Sequence, residues 1–136
     1  MTRGLDTSVV VRLLVGEPVD QALIAKRAVE SAPRGSIAVS DMVIGEAYFA
    51  LRDHYEVPHR KAIAALIALI SDPHIRSMGV ARRVLANMPD KDAGAGLMDR
   101  LIHGGYAFED MTLLTCDRGA ARLPGAQLLD GGRVAR

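Results

Sequence analysis

The sequence predicts an α/β domain built on a central, mostly parallel sheet with helices on both faces. Three observations carry that expectation. Strand-like and helix-like segments alternate along the chain, the pattern that parallel sheets require of their crossovers. Apolar residues make up 49% of the chain but aromatics only 4%, with no Trp. The core must therefore be made of Ala, Leu, Val and Ile, which suit close helix-on-sheet packing. Finally, 136 residues without a repeat, linker or low-complexity segment suit one domain, which buries roughly two-thirds of its unfolded surface.

The elements follow in order. A short strand ends at Asp6, and Thr7 or Ser8 can cap a helix over residues 9–15, which Gly16-Glu17-Pro18 breaks. A second helix runs through Ala22, Ala25 and Val29. Pro33-Arg34-Gly35 turns the chain into a strand over residues 36–40. A third helix extends from Asp41 to about Tyr55, with Val57-Pro58 as its stop and the next start. The helix over 60–70, rich in Ala, Leu and Ile, is amphipathic at most weakly, which predicts burial on more than one side or a partner. Asp72-Pro73 ends it, and residues 74–78 form a short strand. A brief helix over 81–87 closes at Met88-Pro89-Asp90, and a glycine-studded helix spans Ala93 to Tyr106. Residues 111–116 are the clearest strand and 126–129 the last. The domain is expected over residues 1–130, with 131–136 as a flexible tail.

Seventeen Lys and Arg against sixteen Asp and Glu leave a net charge of +1, so bulk electrostatics select no class of partner. Only Lys26, Lys61 and Lys91 are lysines, and the other fourteen bases are Arg. Arg suits phosphate recognition, although a biased genome produces the same composition. The lone Cys116 excludes an intrachain disulfide and a multi-Cys zinc site, and fits a reducing compartment. The apolar run 9–15 is interrupted by Arg12 and far too short to span a membrane. A cytoplasmic, soluble protein with no membrane association is the expectation.

Four acidic residues fall where chemistry can use them. Asp6 and Asp117 close strands, and open parallel sheets bind ligands beyond the carboxyl ends of their strands. Glu46 has only apolar helical neighbours, Met42, Val43, Phe49 and Ala50. That pattern places its carboxylate close to the core, where a charge needs a partner or a metal. Asp99 lies on a more mixed face. Carboxylates drawn together repel and raise one another's pKa. A divalent cation relieves this, and hard oxygen ligands select Mg²⁺ or Mn²⁺. Such ions lower the pKa of bound water and clamp both oxygens of a phosphodiester. The four acids together point to phosphoryl-transfer hydrolysis. Singly, three of them have a plainer use: Asp6 as a helix cap, Asp117 as a turn starter, Asp99 as a solvated surface residue.

At these residues the chain resembles a known family. Gly4-Leu5-Asp6-Thr7-Ser8-Val9-Val10 is similar to the opening of PIN-domain ribonucleases, and Ser40-Asp41-Met42-Val43-Ile44-Gly45-Glu46-Ala47 to their central acidic helix. Asp99-Arg100-Leu101-Ile102 resembles the third acidic position, and Leu113-Leu114-Thr115-Cys116-Asp117-Arg118 the fourth. Arg122-Leu123-Pro124-Gly125-Ala126 matches the usual approach to the last strand. The resemblance covers residues 3 to about 130 and is greatest to VapC-type toxins of toxin–antitoxin pairs. It departs where Cys116 replaces the usual aromatic, and where Gly94, Gly96, Gly104 and Gly105 surround Asp99.

The resemblance implies a three-layer PIN-like fold and a Mg²⁺- or Mn²⁺-dependent endoribonuclease, a homodimer restrained by a cognate antitoxin. Asp6, Glu46, Asp99 and Asp117 would be the catalytic, metal-holding acids. Thr7, Ser8 and Thr115 would support them by hydrogen bonding. Arg12, Arg100, Arg118 and Arg122 are candidate RNA-phosphate contacts, or counter-charges for the acids. Two rivals stand beside this reading. One is a catalytically silent PIN-like module that binds RNA or protein. The other is an aspartyl-nucleophile phosphatase built on Asp6, against which Ser8 stands where a second Asp is normal. His54, His59, His74 and His103 show no paired zinc spacing.

Overall fold

The computed structural model describes residues 2–130 and 133–134. The chain is mixed α/β. Strands β1 (Arg3–Gly4), β2 (Ile37–Val39) and β3 (Ile75–Ser77) form a parallel sheet in the order β1-β2-β3. Arg3 stands opposite Ile37, and Ile37 opposite Ile75. A second set joins β4 (Leu114–Thr115) in parallel to β5 (Gln127–Asp130), which pairs antiparallel with β6 (Arg133–Val134). Helices α1 (Thr7–Val15), α2 (Val19–Glu30), α3 (Asp41–Phe49), α4 (His59–Ile70), α5 (Ala81–Ala86) and α6 (Leu97–Phe108) connect these strands. No helix among the described residues is long and apolar enough to cross a membrane. The expected tail lies outside the described residues except for β6.

Local chemistry explains the boundaries. Asp6 is the N-cap of α1, its carboxylate accepting the Thr7 N–H at 2.7 Å. The helix therefore begins at Thr7 rather than after it. Gly16 ends it in the left-handed region (φ 78°), its N–H closing on the Arg12 carbonyl at 2.9 Å. Ser40 caps α3 by accepting the Val43 N–H at 3.3 Å. Beyond Phe49 the coil widens into a π-helical stretch, Ala50–His54, so the predicted helix to Tyr55 changes its winding near its end. The glycine-studded helix starts only at Leu97, with Gly96 as its N-cap, and continues to Phe108. Thus Gly94 and Gly96 precede it instead of weakening its interior.

The core gathers Val10, Val39, Ile44, Leu66, Leu85 and Leu97, all nearly inaccessible, from α1, β2, α3, α4, α5 and α6. Helix α4 corrects the expectation of burial on several sides. His59, Ala62, Ile63, Leu66, Leu69 and Ile70 are buried, while Ala64, Ile67 and Ala68 face solvent. Alanine on the outer face had blurred an ordinary one-sided pattern. Cys116 is exposed, because the strand stops at Thr115 and leaves it in the following bend.

His59 is the buried polar residue of this core. Its Nε2–H donates to the Pro89 carbonyl (2.8 Å), so its Nδ1 is free to accept the Tyr48 hydroxyl (2.7 Å). Burial pushes the Tyr48 phenol above its ordinary 10.0, nearby Asp92 adds to the rise, and Arg52 opposes it. A raised phenol favours the folded state below its unfolded pKa, and that contribution is lost as pH rises through the folded value. Urea midpoints measured from about pH 9 to pH 11 should therefore fall more steeply for the parent than for Tyr48→Phe. Parallel curves would show that Tyr48 carries no such linkage.

Candidate functional site

The site is built where β1 and β2 hand over to their helices. Because these strands are adjacent and parallel, α1 and α3 start at the same edge of the sheet. Asp6 stands at the start of α1, and Glu46 lies farther along α3. Thr7 connects the two. Its N–H donates to Asp6 Oδ1 at 2.7 Å, and its Oγ1–H donates to Glu46 Oε1 at 2.9 Å. One residue thus holds two carboxylates that are separated by 40 positions.

Glu46 is exposed, contrary to the burial expected from its apolar neighbours. The reason is the face that α3 buries. Ile44, Gly45, Ala47 and Tyr48 point inward, while Met42 and Phe49 are 65% and 46% exposed. A Cβ on Gly45 would lie only 2.2 Å from Met98 Cε. The missing side chain therefore brings α3 against α6 and leaves Glu46 facing out.

Asp99 is half-buried in the first turn of α6. It shares a cleft of about 300 Å³ with Phe49, Arg52, Gly96 and Met98. Asp117 lies beyond β4 and folds back on its own turn. Its Oδ1 accepts the N–H groups of Gly119 (2.7 Å) and Ala120 (3.2 Å). The Asp117 N–H in turn donates to Thr115 Oγ1 at 3.0 Å. A Cβ on Gly119 would stand 3.6 Å from the Gly94 carbonyl, so this turn lies against the segment leading into α6.

Among the described residues, no three His, Cys, Asp or Glu side chains are placed to share a metal ion. Asp6 and Glu46 supply hard oxygens of the kind Mg²⁺ or Mn²⁺ takes. Asp99 and Asp117 do not join them around a common point, so the complete four-acid shell does not fit the arrangement as it stands.

The candidate arginines divide. Arg12 donates through Nε to Gln21 and through Nη1 to the Ser8 carbonyl (3.0 Å), which ties α1 to α2. Ser8 itself is exposed. Arg100 donates Nε to the Ala95 carbonyl at 2.9 Å. It lines a separate cleft with Val80, Arg83, His103 and Pro124, away from the one that holds Asp99. Arg118 and Arg122 are exposed near Asp117.

Two residues here were missed in the sequence. Asp41 was read only as the start of a helix. Its carboxylate accepts the N–H groups of Val80 (2.9 Å) and Ala81 (3.0 Å), capping α5 from a distance. Phe49 was read only as an apolar neighbour of Glu46, yet its exposed ring lines the Asp99 cleft. Asp41 left no local signal, since its partners are about forty residues away. The i, i+3 spacing of Glu46 and Phe49 was the available clue for the second.

No family model matches this chain, and no curated protein matches it. Among solved structures it is similar to the crystal structure of VapBC2 from Rickettsia felis bound to a DNA fragment from their promoter. That similarity is 18% identity over 93% of this chain and 96% of the other, with a TM-score of 0.39. At that level of overlap the likeness decides neither fold nor activity.

Proposed function

We propose that the protein is a PIN-like, metal-dependent endoribonuclease of the VapC type, the toxin of a toxin–antitoxin pair. The observation that carries this reading is the double engagement of Thr7, which holds Asp6 at the start of α1 and Glu46 on α3. Two carboxylates kept together and exposed at that edge suit hydrolysis of a bulky phosphodiester better than they suit stability. The four sequence segments that resemble PIN-domain ribonucleases supply the rest of the support.

In this reading Asp6, Glu46, Asp99 and Asp117 are the catalytic acids; Thr7 orients the first two, and Thr115 supports the last by accepting its backbone N–H. A bound Mg²⁺ or Mn²⁺ would supply an activated water and charge relief at the phosphate. For all four acids to share that task, Asp99 and Asp117 must approach the Asp6–Glu46 pair. The remaining features of the proposal are residues 1–130 as the nuclease domain, a homodimer, a cytoplasmic location and a cognate antitoxin. That no third acid joins the pair among the described residues favours the second reading, a silent module that binds RNA or protein.

Purified, partner-free protein separates these readings. RNA cut in the presence of Mn²⁺ and left intact with EDTA is the expected result. Intact RNA in both cases, with well-folded protein, would replace the nuclease by the binding module.

A further inference from the structure

Apart from the acids, a second cleft of about 350 Å³ opens between α5 and α6. That volume falls within the roughly 300 to 1,000 Å³ of small-molecule pockets. Val80 and Val84 line it from the α5 side, Gly104 and Ala107 from α6, and Leu123-Pro124 completes it. Gly104 lets the two helices close on each other, since a Cβ there would stand 3.2 Å from Cγ2 of both valines. His103 ties the last segment to α6, its Nε2–H donating to the Pro124 carbonyl at 2.7 Å.

The charge of this apolar cleft is one-sided. Arg83 and Arg100 line it, and no Asp or Glu does among the described residues. Arg100 is half-buried and held in place, its Nε donating to the Ala95 carbonyl at 2.9 Å. Its two Nη groups have no partner among the described residues, and neither has the exposed guanidinium of Arg83. A charge drawn partly out of water with no counter-ion is costly. The Nη pair offers the parallel donors that a carboxylate accepts.

We infer that the α5–α6 cleft binds a small organic anion, a carboxylate carried on an apolar acyl or aryl body. The carboxylate meets Arg100, with Arg83 beside it, and the body covers the valines, Ala107 and Pro124. A bare phosphate would leave that apolar lining wet, and a neutral hydrocarbon would leave Arg100 uncompensated. Each half of the ligand therefore answers one half of the cleft. None of the four candidate catalytic acids lines it, so the inference stands independently of the nuclease reading.

Amide NMR shifts of the full chain, titrated with octanoate, test this and locate the site at once. Octanoate should shift the amides of Gly104 and Ala107 and saturate. Octanol, acetate, inorganic phosphate and octylammonium, each lacking the charge or the body, should bind at least about tenfold more weakly. Arg100→Met should weaken octanoate about tenfold, as expected for losing a charge-assisted hydrogen bond. Arg83→Met removes an exposed charge that the fold does not use, and should weaken octanoate by up to about fivefold. It keeps the test open if Arg100→Met fails to fold.

Octanol or octylammonium binding as well as octanoate would reduce the cleft to an apolar groove and overturn anion recognition. Acetate or phosphate binding as well would overturn the need for an apolar body. Octanoate shifts confined to another part of the chain, or parent affinity in both arginine variants, would remove the site altogether.

Discussion

Asp6→Asn is expected to cut RNA slower by a factor on the order of 1,000 or more while folding as the parent does. Loss of a residue that merely orients a metal-holding group costs about 10- to 100-fold, so loss of a direct carboxylate should exceed that. The substitution is unusually clean. Asp6 is the N-cap of α1, and Asn caps a helix about as well as Asp. Its amide oxygen can still accept the Thr7 N–H, and the side chain is exposed, so no buried partner is orphaned. What disappears is one negative charge. Thr7→Val gives the graded companion, because it keeps the branched shape and removes the hydroxyl that holds Glu46. Cleavage should fall about 10- to 100-fold, and Thr7→Ser should recover most of it. Initial rates with Mn²⁺, together with urea midpoints for each variant, decide the matter. Undiminished cleavage by a folded Asp6→Asn protein would end the assignment of this site.

Much of the fold was legible because its punctuation is local. Gly16 with Pro18, Pro33 with Gly35, and Asp72 with Pro73 mark ends that short-range chemistry enforces; α2, β2 and α4 fall between them and β3 follows the last. The orientation of α3 was not legible. Met42, Val43, Ile44, Ala47, Phe49 and Ala50 surround that helix with apolar groups, so periodicity cannot choose its inner face. Gly45 chooses it, by admitting Met98 and Leu101 of α6, a contact between segments more than fifty residues apart. The burial expected for Glu46 was therefore wrong, and its side chain faces solvent.

The acids show the same division. That Asp6 and Glu46 belong together follows from adjacent parallel strands, and the Thr7 bridge agrees with it. The relation of Asp99 and Asp117 to that pair depends on how α6 and the β4 turn pack, which residue spacing does not encode. Gly104 illustrates the difficulty. As a glycine inside a helix it reads as a weakness, but a Cβ there would lie 3.2 Å from Cγ2 of both Val80 and Val84. Its small size sets how closely α5 and α6 approach.

The largest effect on stability is expected at the joint between α3 and α5. Gly79 lies in the left-handed region (φ 68°), and a Cβ placed on it would come within 2.4 to 2.9 Å of the Asp41 carboxylate. Gly79→Ala therefore meets two costs. The backbone conformation costs an L residue about 1 kcal/mol, and the collision dislodges Asp41 from the Val80 and Ala81 N–H groups. Losing an acidic helix cap costs about 1 to 2 kcal/mol. The sum, about 2 to 3 kcal/mol, is a large share of the 5 to 15 kcal/mol typical of a domain. Asp41→Ala alone should lose only the cap. In the double variant the Cβ has no carboxylate left to displace, so the cap is lost once and not twice. The two effects should then fall short of additivity by about 1 kcal/mol or more. Urea denaturation of the parent, both single variants and the double variant measures that difference directly. Strict additivity would mean that Gly79 matters for its backbone alone, and that Asp41 keeps its hold on α5 whatever occupies position 79.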